Sequence, residues 1–124
     1  MTCEYEERFL TEAVRLASTL LSLKKEDAKK ILQTLVYDVA EPSGDSAAVC
    51  VAAYAREKFG EGVVGEAIYR SMEFLHENGR GNKHEVERFL GFVRMFVEAL
   101  PEGAKGERLV DVFTILGREK PLFA

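Results

Sequence analysis

The chain contains no tryptophan, two cysteines, two histidines and three prolines among its 124 residues, and these scarcities limit its chemistry. Cys3 and Cys50 are too few and too far apart for a disulfide framework or a zinc site. Cys50 sits in an Ala/Val-rich run and reads as a small buried hydrophobe. No apolar run approaches the roughly 18 residues of a membrane span. The opening MTCEYEERF has early acids and no apolar h-region, so it does not read as a secretory signal. Cytoplasmic residence without a membrane partner is the expectation. The amides are only Gln33, Asn78 and Asn82, while Glu outnumbers Asp seventeen to four, a bias that resembles thermophile composition.

The charge is also one the chain has little of. Seventeen bases against 21 acids leave a net −4. The acids and bases are spread evenly over both halves, with no charged tail. Autonomous binding to a phosphate backbone needs a basic face, so this balance argues against a free-standing nucleic-acid binder. It leaves room for contact with nucleic acid inside a complex.

Apolar residues make up 47% of the chain, enough for one self-sufficient domain spanning 1–124. Their spacing is helical throughout. Phe9, Ala13, Val14, Leu16, Ala17, Leu20 and Leu21 predict a helix over about 3–21, with Glu4, Glu6 and Glu7 in its favoured first turn. Ala28, Ile31, Leu32, Leu35, Val36 and Val39 predict a second over about 25–39, bounded by Pro42. The short link between the two predicts an antiparallel hairpin. Residues 41–45 read as a turn in which Ser43 or Asp45 caps the next helix. That helix, from Ala47 to the stop at Gly60, is apolar nearly all round for two turns and reads as the central buried one. A fourth runs over about 63–78, its start weakened by Gly62 and Gly65. A fifth opens with Asn82 as cap and Glu85 as capping-box partner and ends at Pro101. Residues 108–116 are β-branched enough to suit a strand, but with no second strand to pair they are assigned to a short helix over about 104–116, closed by Gly117. An irregular tail follows from about 117. The fold class is therefore all-α, a single compact bundle of five to six helices.

Chemistry-bearing motifs are sparse. Glu73-x-x-His76 has the spacing of one arm of a di-iron site, and His84 lies across a tight turn from it. Glu73, His76 and His84 are thus the candidate metal ligands, although the second Glu-x-x-His that such a site needs is missing. No Ser–His–Asp, Cys–His or phosphate-loop pattern occurs, so no catalytic residue and no cofactor is assigned. Gly79-Arg80-Gly81-Asn82-Lys83 is a basic turn entering a helix N-terminus, which suits an anion but also suits a plain helix stop and cap. Phe92 and Met95 lie off the apolar stripe of the fifth helix, and Leu122 and Phe123 end a polar tail. These four are the candidate protein interface.

The leading expectation is a non-enzymatic helical interaction domain or small subunit of a larger assembly, with a protein partner or self-association. The alternative is a helical subunit of a nucleoprotein complex, with Arg80, Lys83, Arg88 and Arg94 facing nucleic acid. In size and helix content the chain resembles the small helical subunits of CRISPR effector complexes, a likeness of architecture alone. A second alternative is a metal-dependent enzyme built on the carboxylate–histidine set.

Overall fold

The computed structural model describes residues 2–119, and all of their regular structure is helical. The order is α1 (Thr2–Leu20), α2 (Lys25–Gln33), a π-helical stretch (Thr34–Ala40), α3 (Glu41–Ser43), a 3₁₀ turn (Gly44–Ser46), α4 (Ala47–Phe59), α5 (Val63–Glu77), α6 (Lys83–Ala99) and α7 (Leu109–Glu119). The expected all-α bundle is what forms. None of the described helices is long and apolar enough to cross a membrane.

α6 is the organising element. Val86, Phe89, Leu90, Val93, Phe96 and Val97 form its buried stripe, and every earlier helical element packs against it. The expected α1–α2 hairpin does not form, because α2 packs on α6 instead. Polar links hold it there: the Lys25 amide donates to Glu102 Oε2 (2.8 Å) and its Nζ to the Glu98 carbonyl (2.9 Å).

Pro42 does not end the second helix. Helical structure runs through it into α3. The preceding π-helical turns are wide, which relieves the clash between the proline ring and the carbonyl one turn back. The chain reverses later, at Gly44, where φ is +57°. Neither Ser43 nor Asp45 caps α4. Ser43 Oγ donates back to the Val39 carbonyl, and the Ala48 amide finds the Gly81 carbonyl at 2.9 Å.

α4 is not buried all round. Ala47, Ala48, Val51 and Ala55 face inward, whereas Val49 is 53% exposed and Cys50 only half-buried. Its small inward residues instead permit close approach to α5. Gly65 is the contact point: a Cβ there would lie 2.5 Å from the Gly60 carbonyl oxygen and 3.0 Å from Phe59 Cβ. The glycine that weakens α5 in isolation is thus what lets the pair dock.

The last helix also departs from expectation. It begins at Leu109, after an irregular 101–108 link, and passes straight through Gly117 to Glu119. An exposed glycine in a helix interior costs about 1 kcal/mol relative to Ala but does not stop the helix unless the backbone turns left-handed there. The irregular tail expected from about 117 is helical over 117–119, and residues 120–124 lie outside the described residues.

Gly65→Ala tests the α4–α5 contact. The helix-propensity gain is about 1 kcal/mol, but the steric clash outweighs it, and a net loss of about 1–2 kcal/mol is expected in urea denaturation. Gly117→Ala, on an open helix surface, should raise stability instead.

Candidate functional site

The polar residues singled out from sequence are mostly engaged within the chain. The α5–α6 turn closes as a Schellman motif: the Arg80 amide donates to the Leu75 carbonyl (2.8 Å) and the Gly79 amide to the His76 carbonyl (3.1 Å). Asn82 caps α6, its Oδ1 accepting from the Glu85 amide at 3.1 Å. Glu85 does not return the bond as a capping-box partner. Its carboxylate turns to Arg80 and Arg88, at 3.7 Å from each.

These arginines sit on an aromatic cluster that sequence reasoning missed. Arg80 lies 4.8 Å over the Tyr5 ring, Arg88 4.4 Å over Phe9, and Arg8 5.3 Å over Phe74. Tyr5 stacks on Phe74, and Phe9 meets Phe89 and Phe92 edge-on. Arg88 also donates to Glu6, a bond that holds its guanidinium pKa above the ordinary value. Burial, and then the charge of Glu85, pushes the Tyr5 hydroxyl above its usual value of 10.0. The available signal was the i, i+4 spacing of Tyr5 with Phe9 and of Arg88 with Phe92. Phe92 therefore belongs to this cluster and is half-buried, while Met95 is 49% exposed.

Arg94 pairs with Glu98 at 3.1 Å. Among the described residues, Lys83 is the one of the four proposed nucleic-acid contacts without a salt bridge. Glu73, His76 and His84 are all exposed. Among the described residues no group of three or more His, Cys, Asp or Glu side chains is placed to hold a metal ion. Leu122 and Phe123 lie outside the described residues.

An open groove of about 550 Å³ lies between α1 and α5. Its arginines are committed to its glutamates, Arg15 to Glu12 at 3.2 Å and Arg70 to Glu66 at 3.3 Å.

The least satisfied surface is on α7. Leu109, Val112 and Ile115 face inward, Ile115 being only 9% exposed, and the helix packs on α1. Val110, Phe113, Thr114 and Gly117 follow i, i+3, i+4, i+7 spacing on the outward side. No residue of that stripe is charged. Phe113 is 79% exposed and Val110 54%, with Leu116 beside them at 37%. The helix is held in place from its N-terminal end. Asp111 Oδ2 accepts from the amides of Glu107 (3.0 Å) and Arg108 (2.9 Å), Gly106 N donates to Ser18 Oγ, and Arg15 Nε donates to the Glu107 carbonyl. The hydrophobic outer stripe is thus presented on a fixed helix.

No protein-family model, curated protein or solved structure matches this chain. The class defined by fold and surface is a small all-α bundle whose α7 exposes large apolar side chains on its outward side.

The two amide bonds at Asp111 hold its carboxyl below the ordinary 3.8. A lowered folded-state value means that the stabilisation is complete above pH 3.8 and is lost as pH falls through the lower folded value. Backbone chemical shifts of residues 109–113 should therefore lose helical character in that acid range. Asp111→Asn should show part of the same fraying already at neutral pH.

Proposed function

We propose that this chain is a non-enzymatic helical interaction subunit that docks onto protein through α7. The observation that carries this reading is the uncharged outward stripe Val110, Phe113, Thr114, Gly117 with Phe113 79% exposed. Large exposed aromatics on a rigid element mark interfaces. Covering the Phe113 and Val110 side chains is worth about 1.5–3 kcal/mol each in transfer free energy.

The test is to recover the tagged chain from its native host under gentle conditions and size the complex. The wild type should elute in an assembly well above its 13.9 kDa monomer mass. Phe113→Glu should shift it to the monomer position with unchanged circular dichroism. A lone monomer for both proteins would end this reading.

A second reading, a helical subunit of a nucleoprotein complex, is favoured by a different patch from the one expected. A pocket of about 170 Å³ between α2 and α4 is lined by Lys30, Ile31, Thr34, Tyr54, Lys58 and Phe59. Among the described residues neither lysine forms a salt bridge. Aromatic rings flanked by free ammonium groups suit a base and its phosphates on single-stranded nucleic acid. Fluorescence anisotropy with a labelled oligonucleotide at low salt tests it. Lys30→Glu/Lys58→Glu should weaken binding at least tenfold, and equal binding by both proteins would remove this patch from consideration.

A further inference from the structure

The outward stripe of α7 is self-complementary, and we propose that it seats a second copy of this chain, the two α7 helices running antiparallel about a two-fold axis. The inference rests on the reading of α7 as the docking element and names its occupant.

Three observations lead to it. First, the stripe carries no charge, so two copies meet without desolvating an ion. Second, Gly117 lies one turn beyond Phe113 on the same stripe, and among the described residues a Cβ built there meets nothing within 4 Å. It is an open notch beside a protruding ring. Third, Asp111 and Arg118 lie seven residues apart on one flank of the stripe, with opposite charges, and Arg118 has no salt bridge among the described residues.

The alignment follows from these positions. In an antiparallel pair, the register that places Phe113 of each copy over Gly117 of the other also brings Asp111 to within one residue of the other copy's Arg118. Symmetry makes each contact twice, as an isologous interface requires. A parallel pair would instead set Phe113 on Phe113 and carry the Asp111–Arg118 flanks of the two copies to opposite sides of the contact, where they cannot pair. Asp111 retains capacity for the new partner: it already accepts from two backbone amides and Arg108, and a carboxylate offers about four acceptor positions. An eleven-residue helix is about 16 Å long. A contact of that length falls at the small end of specific interfaces, so the pair is reversible and concentration-dependent.

Sedimentation velocity on the purified full chain, from about 1 μM to about 500 μM, tests the proposal across the range of a weak complex. The wild type should pass from monomer to dimer within that range. Phe113→Glu should remain monomeric with unchanged circular dichroism. Gly117→Leu is the discriminating variant. It lies on open helix surface and should fold at least as well as the wild type. It adds apolar area, so a merely sticky patch would associate more strongly, whereas a filled notch should weaken the dimer at least tenfold. Unchanged or stronger association of Gly117→Leu overturns the register. A wild-type monomer at every concentration overturns self-docking itself. In that case a native assembly built with other chains and lost with Phe113→Glu would leave the α7 interaction reading standing.

Discussion

The buried stripe of α6 is the constraint on which the rest of the bundle depends. Val86, Phe89, Leu90, Val93, Phe96 and Val97 must leave water together. At about 1.5–3 kcal/mol for each side chain, their transfer is worth on the order of 10 kcal/mol before the entropy of folding is set against it. That is as large as the whole net stability of a typical domain. The earlier helices take their places by covering this stripe. α2 packs on this stripe, and α5 meets α4 with the close approach that Gly65 allows. α7 stands outside this arrangement. It rests on α1, and its position is set by the Asp111 cap and the Ser18 and Arg15 bonds to the preceding link. A helix placed by its start and one inner edge keeps its other side open.

The charged residues are organised by the same economy. Arg80 and Arg88 join α1 to the start of α6 by lying across Tyr5 and Phe9 while sharing Glu85. Ion pairs this exposed contribute only about 0–1 kcal/mol each, so stacking on the rings matters at least as much as the pairing. Guanidinium groups used in this way present little free positive charge to solvent, and Glu98 does the same to Arg94. The lysines Lys30 and Lys58 differ because no carboxylate answers them among the described residues, and they frame an aromatic-lined pocket on the α2–α4 side.

Much of the fold was legible in the sequence because 3.6-residue periodicity depends only on which face is buried. The Asn82 cap and the Gly79 stop could be read from residue type alone, and both appear with their expected hydrogen bonds. The errors have physical sources that single-sequence patterns do not carry. Pro42 stays inside a helix because the preceding turns widen, and nothing in Thr34–Ala40 announces a π-helix. Gly65 reads as a weak helix former until a neighbouring backbone is known to lie 2.5 Å from its missing Cβ. The surface was harder. Phe92 looked exposed because it lies off the α6 stripe, yet Phe9 and Arg88 cover it. The α7 stripe was overlooked because a helix apolar at Leu109, Val110, Val112, Phe113, Ile115 and Leu116 does not by sequence say which of these face the bundle, and because Gly117 was read as its stop. Once α1 is seen to cover Leu109, Val112 and Ile115, the outward spacing of Val110, Phe113 and Gly117 is plain.

Two features of α7 work against the monomer, and they share one face. Phe113 holds a large apolar ring in water, where it lowers solubility and adds nothing to the core. Gly117 sits within a helix where Ala would be about 1 kcal/mol better, with no left-handed turn and, among the described residues, no close backbone or side chain to require it. Either alone is an ordinary surface irregularity, for isolated exposed hydrophobes and glycines are common. Together, one turn apart, a protruding ring and an adjacent hollow have complementary shapes. A surface that covers the ring and uses the hollow accounts for both with a single contact. A cover that used only the ring would leave Gly117 unexplained, so the glycine tells more about the partner's geometry than the more conspicuous phenylalanine does.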